Sequence, residues 1–277
     1  MIRKSLFVAV FLLVLYDCFL IAEKKIWRSE QYQYQGNIIK ADRYIYSQAM
    51  PRAVIIGTSL SDRIVLDSIP GIYNLAMPGM SILDGCEVLL KREKLPEVVF
   101  IETNLFFKKE NEGFVQSVNS PVRQFFKKNI LAMRDENQPV GLIRHLIKGN
   151  AKKTIVYPAV PPNVFRELLQ SQEKQFENPD SALIDRSLVR LKHYIQIMHE
   201  HKSRVCFFEM PVNENLKSLP QAVIVRTKIK ESFPGVAFIP PPDIKFETMD
   251  GVHLGNSEAS LYTHYLKTHI DTIINGR

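Results

Sequence analysis

Three residues of this chain could together cleave or move an ester: Ser59, His253 and Asp250. A serine hydroxyl is a weak nucleophile until a histidine takes its proton, and the histidine needs a carboxylate to fix its tautomer. Asp250-Gly251-Val252-His253 supplies both partners in one short stretch. A tetrahedral intermediate would also need donors, for which the backbone N–H groups of Ser59 and Gly79 and the side-chain amide of Asn104 are candidates. Each piece alone has an ordinary alternative. Gly57-Thr58-Ser59 could be a polar turn capping a helix, Asp-Gly is a common turn, Asn104 could cap a helix, and His253 could be a satisfied loop histidine.

The elements that would carry these residues follow from apolar runs and breakers. Ala53-Val54-Ile55-Ile56 reads as a short buried strand, with Gly57 allowing a sharp turn and a helix starting near Leu60. Ser59 then stands at a strand-to-helix junction, close to free backbone N–H groups. Further strands are expected at 71–77, 97–102, 205–210 and 236–239, and helices at about 81–94, 181–199, 219–232 and 257–274. Strands separated by helices of this length imply right-handed crossovers, hence an α/β fold with a doubly wound, five-stranded parallel sheet flanked by helices. In such a sheet ligands bind at the strand ends where helices begin, and Ser59, Gly79, Asn104 and the 250–253 loop all fall at that edge.

Residues 105–180 break the βα rhythm and read as a helical insertion over the ligand edge. The stretch repeats Phe-Phe-Lys-Lys, at 106–109 and 125–128. Interleaved aromatic and basic residues could hold an acidic acceptor, with Lys127 and Lys128 as the candidate contacts. Amphipathic helices packing Phe inward and Lys outward explain the pattern more cheaply. His199 and His201 lie two apart near a helix end, where side chains diverge, so no metal site is indicated.

The 277 residues carry a formal charge of +7, a mild excess that favours anionic partners but lacks the clustered basic repeats of a nucleic-acid binder. Residues 5–22 are apolar apart from Asp17 and Cys18, follow Arg3 and Lys4, and are long enough to cross a bilayer. Leu20-Ile21-Ala22 is a poor cleavage site, which favours an uncleaved anchor. The division expected is an anchor over 1–27, a linker over 28–52 without clear periodicity, and one domain over 53–277. Cys86 and Cys206 could form a disulfide or be two buried thiols.

Gly57-Thr58-Ser59, Asn74-Leu75-Ala76-Met77-Pro78-Gly79, Thr103-Asn104 and Asp250-Gly251-Val252-His253 stand in the order and spacing of the four blocks of the SGNH (GDSL) hydrolase superfamily, which the chain resembles. The resemblance implies a flavodoxin-like sheet, Ser59 as nucleophile, Gly79 and Asn104 completing the oxyanion hole, Asp250 and His253 completing the triad, and no cofactor. Two positions depart from the family pattern: Thr58 stands where many members have Asp, and Glu102 where the Asn block usually has Gly. An N-terminal anchor before a single SGNH domain is similar to bacterial proteins that O-acetylate extracytoplasmic polysaccharides beside a multispanning membrane O-acyltransferase. That implies an acyl donor, a polysaccharide acceptor, no nucleic acid, and a single-pass protein of the inner or cytoplasmic membrane facing outward. The same acyl-serine would serve water in an esterase or lipase, and a degenerate member would only bind glycan or assist assembly.

Overall fold

The computed structural model describes residues 2–22, 32–66, 70–148, 158 and 160–276. In chain order the elements begin with α1 (Ile2–Ala22), α2 (Gln33–Tyr46), β1 (Ala53–Ile56), β2 (Ile72–Asn74), α3 (Ile82–Leu89) and β3 (Val98–Glu102). Then come α4 (Glu112–Asn119), α5 (Pro121–Asn129), α6 (Pro139–Lys148), α7 (Pro162–Glu177) and α8 (Ser181–Glu200). The chain closes with β4 (Arg204–Phe208), α9 (Glu214–Lys217), α10 (Pro220–Ser232), β5 (Ala237–Phe238) and α11 (Asn256–Asn275). They group into two compact units, one of Met1–Gln48 and Glu112–Thr154, the other of Ala49–Asn111 and Ile155–Arg277.

The larger unit is α/β. Its five strands are all parallel, in the order β2-β1-β3-β4-β5. Every residue of β1 and β3 is buried, as expected of central strands covered on both faces, whereas β2 and β5 are partly exposed edges. The order reverses between β1 and β3, so their carboxyl ends open the crevice in which such sheets bind ligands. α3 starts with a capping box: Ser81 Oγ accepts from Leu83 N at 3.2 Å and Asp84 Oδ2 from Ser81 N at 2.9 Å. α8 buries the stripe Ile184, Leu188, Leu191, Ile195 and Met198, with Asp180 as its N-cap. Cys86 and Cys206 are buried free thiols, and burial pushes the Cys206 thiol up to about 12. After Ser59 the chain makes only a 3-10 turn, Ser61–Arg63, where a helix was expected, and α3 stops at Leu89 rather than near Lys94.

The smaller unit differs from the sequence expectation. Residues 33–46, expected to be linker, form α2, and its buried face includes Gln35, Asn37 and Asp42 as well as Ile39, Ala41 and Tyr44. A helix whose inner face is this polar leaves no apolar period to read. The expected insertion also divides: α4 to α6 belong with α1 and α2, whereas α7 belongs with the sheet and packs on α9 and α10. α1 is long and apolar enough to cross a membrane. Its Leu13, Tyr16, Asp17 and Leu20 side is the covered one: the Tyr16 hydroxyl donates to Asn137 O at 2.7 Å and Asp17 Oδ1 accepts from Ala132 N at 2.8 Å.

Candidate active site

β1 delivers Ser59 to the crevice through a turn that only a glycine permits. A Cβ on Gly57 would lie 1.8 Å from Ser61 Oγ and 2.7 Å from Glu102 Oε2, so a larger residue would expel the groups that shape the turn. Those groups form a small network. The buried Glu102 carboxylate, at the end of β3, accepts from Thr58 N (2.9 Å), Thr58 Oγ1 (2.8 Å), Ser61 N (3.2 Å) and Ser61 Oγ (2.6 Å). Four donors satisfy a charge that burial would otherwise make costly, and they fix the backbone on both sides of Ser59. Glu102 and Thr58, the two positions that the sequence analysis set apart, thus bind each other.

The neighbouring loops are tied to this turn. Asn74 Nδ2 donates to Ser61 O and its Oδ1 accepts from Ala76 N, both at 2.9 Å. Met77 N donates to Gly57 O at 2.9 Å, which holds the Pro78-Gly79 turn at the end of β2 against the end of β1. Gly79 has φ +77°, a conformation that favours glycine. Asn104, after β3, is pinned by a cyclic pair with Met210: Nδ2 donates to Met210 O at 2.9 Å and Oδ1 accepts from Met210 N at 2.7 Å. One Nδ2 hydrogen lies outside that pair.

The loop before α11 brings the base. Asp250 Oδ1 accepts from His253 N (2.8 Å) and Val252 N (3.1 Å), while Oδ2 meets His253 Nδ1 at 2.6 Å. Burial would raise the Asp250 carboxyl, but hydrogen bonds from the His253 ring and backbone N–H, with the Val252 N–H, outweigh it and hold the group below its ordinary range. An ionised Asp250 keeps the proton on Nδ1 and leaves Nε2 as acceptor. That Nε2 is 2.8 Å from Ser59 Oγ. Arg63 ties the two loops by donating to Leu254 O at 3.0 Å, and Asn213 N holds the loop through Gly251 O at 2.8 Å.

Ser59, His253 and Asp250, 194 residues apart at the widest, thus form one chain of short hydrogen bonds able to deprotonate a serine, with both half-exposed Ser59 and His253 open to a reactant. Gly79 and Asn104 sit on loops leaving the same sheet edge. Lys127 is engaged elsewhere: its ammonium, largely buried, lies 2.8 Å from both Asp42 Oδ2 and Asp135 Oδ2 in the smaller unit, so it serves that interior instead of offering a free charge to an acceptor. Lys128 is exposed on α5.

Sequence reasoning did not assign roles to Glu102, Asn74 or Arg63. A carboxylate ending the apolar run Val98-Val99-Phe100-Ile101 was the legible signal, since such a group must find donors when buried. Beside the triad loop, a cavity of about 830 Å3 is lined by Phe165, Phe246, Glu247, Met249, Asn256 and Glu258 among others. Compared with protein family profiles, with curated proteins and with solved structures, the chain matches none.

Proposed function

We propose that this chain is an SGNH-type serine acyltransferase, anchored in a bacterial inner or cytoplasmic membrane by α1, that moves an acyl group, by preference acetyl, to a hydroxyl of an extracytoplasmic polysaccharide. The observation that carries this reading is the Ser59 Oγ to His253 Nε2 to Asp250 relay at the switch point of a parallel sheet. In the first half-reaction Ser59 Oγ attacks the donor's carbonyl carbon while His253 Nε2 takes its proton. The tetrahedral oxyanion would accept from Ser59 N–H, Gly79 N–H and the outer Nδ2 hydrogen of Asn104. Collapse expels the donor's alkoxide, which leaves with the proton from His253, and Ser59 holds the acyl group as an ester. In the second half, a sugar hydroxyl gives its proton to His253 and attacks that ester, and the proton returns to Ser59 as the serine leaves.

Anchoring supports transfer over release of a free esterase, since a membrane-held enzyme can be fed by a multispanning O-acyltransferase partner. The adjacent cavity carries Glu214, Glu247 and Glu258 against Lys245, a charge balance that favours a neutral or amino-bearing glycan over a polyanion. Intact-mass analysis of the full chain after exposure to an activated acetyl ester tests the reading. One acetyl per chain is expected, absent in Ser59→Ala and discharged by a glycan that gains an acetyl ester. An adduct that persists in Ser59→Ala would end the mechanism, and discharge to water alone, whatever neutral or acidic glycan is offered, would make the protein an esterase.

A further inference from the structure

The smaller unit buries Ile39, Ala41 and Tyr44 of α2 and Phe114 of α4, but on α5 and α6 it carries apolar side chains outward. On α5, Val122, Phe125 and Phe126 are exposed, Phe125 by 63%, and on α6 so are Val140, Ile143, Leu146 and Ile147, the last by 77%. Their spacing places each set along one side of its helix. The inward side of α5 is ionic instead: Lys127 reaches Asp42 and Asp135. Between the two helices, Leu131–Met133 forms a 3-10 turn that packs directly on α1, with Met133 exposed.

The depth of that turn is set by α1. Asp17, which holds Ala132 N, lies five residues before the end of α1 at Ala22, or about 7–8 Å along a helix axis. If the 21 residues of α1 fill a bilayer core of about 30 Å, the 131–133 turn must lie just below the membrane surface, at the depth of about 5–10 Å where amphipathic helices bed their apolar faces. Exposed Arg123, Lys128 and Arg144 on the same helices suit anionic headgroups above.

The geometry points to α5, the 131–133 turn and α6 as an interfacial cradle that seats the smaller unit in the leaflet surface around α1, its occupant being an anionic lipid bilayer. The inference rests on the anchor reading above and is independent of the triad. It also gives Asp17 a place: a carboxylate inside an apolar helix is tolerated because it receives a backbone N–H of the cradle.

Depth-dependent fluorescence quenching tests it on the full chain in two sets of vesicles of phosphatidylcholine and phosphatidylglycerol, one carrying bromine near the headgroup end of the acyl chains and the other near their methyl end. The single tryptophan is first removed as Trp27→Phe; probes are then introduced one at a time as Phe125→Trp, Ile143→Trp, Phe11→Trp in α1 and, at an exposed position of α8 in the larger unit, Val189→Trp. Quenching at 125 and 143 by the shallow bromines and at 11 by the deep ones, with none at 189, is expected. Quenching at 11 while 125 and 143 behave like 189 would overturn the cradle and leave the anchor standing. No quenching at 11 either would overturn both. Probes at 125 and 143 that are shielded from aqueous acrylamide yet untouched by bromolipid would overturn it in favour of a second copy of the chain covering that face.

Discussion

Phe106-Phe107-Lys108-Lys109 and Phe125-Phe126-Lys127-Lys128 are the same four residues in the same order, yet one unit buries the two rings and the other turns in a single lysine. In the larger unit Phe106 and Phe107 are buried, their rings edge-on at 6.0 Å just past β3, and Lys109 is exposed. In the smaller unit both phenylalanines face outward and Lys127 turns in to a pair of carboxylates. Residue type decides only what a side chain would gain by burial. Which side is buried depends on what lies there: beside β3 there is an apolar sheet, beside α5 there is Asp42, whose buried charge needs a cation more than the site needs a ring. An outward apolar face is then stable if its solvent is lipid.

The largest expected effect separates the units by chemistry. Ser59→Ala or His253→Ala should lower turnover by about 10⁴-fold or more, while the quenching of a probe at Phe125 stays as it was. Steady-state kinetics and fluorescence on the same preparation check this; a variant that loses both would mean that the two units act as one.

Next in size is the direct test of the paired quartets. Phe106→Ala should cost about 3–5 kcal/mol of stability, as for a buried ring leaving a cavity. Phe125→Ala should stay within about 0.5 kcal/mol in detergent solution. Denaturant titration followed by circular dichroism reads both, and comparable losses would show that Phe125 packs in a core after all.

Glu102 sharpens the comparison from within the larger unit, because it is a buried carboxylate satisfied by hydrogen-bond donors rather than by a cation. Glu102→Gln keeps the shape but turns one acceptor into a donor facing Thr58 or Ser61. Displacement of Ser59 by this mismatch should lower kcat by up to about 10²-fold, with KM little changed and folding retained. A rise in KM at unchanged kcat would place Glu102 in substrate binding instead.

How much was legible in the sequence follows the same division. Ala53–Ile56 and Val98–Glu102 announce central strands because both faces meet apolar neighbours, so a continuous apolar run suffices. The glycine after β1 and the Asp-Gly loop then place Ser59 and His253 at one edge, and the structure joins them. α2 was invisible because its inner face holds Gln35, Asn37 and Asp42, and Gln35 Nε2 donates to Gln138 Oε1 at 3.1 Å. α5 was legible as amphipathic, but both readings of its lysines turned them outward, since periodicity gives a helix its two faces and not the medium each one meets. The Glu102 network depends on partners 41 and 44 residues away in sequence, and local pattern cannot supply those.

The smallest effect contrasts two buried carboxylates, one in each unit. Burial raises the Asp42 carboxyl, and the Lys127 ammonium offsets part of that rise. Asp84, in the capping box of α3, has no such cation among the described residues. Burial pushes it up to about 6, opposed by the Ser81 and Asn111 N–H groups, which donate at 2.9 and 3.0 Å, and assisted by the nearby Glu110 and Glu87. A carboxyl whose folded pKa exceeds its unfolded value of 3.8 binds its proton more tightly when folded, so its contribution to stability is fully present below pH 3.8 and declines as pH rises to about 6, after which the loss is constant. Asp84→Asn, which cannot ionise and keeps one acceptor oxygen, should abolish that slope and gain about 2–2.5 kcal/mol at neutral pH relative to pH 4, set against a partly lost cap. The measurement is denaturant stability at pH 4, 5, 6 and 7 for both proteins. If Asp84→Asn leaves the difference between pH 4 and pH 7 unchanged, the carboxylate is as well satisfied in its box as Asp42 is beside Lys127, and the contrast between backbone and ammonium as partners for a buried charge fails.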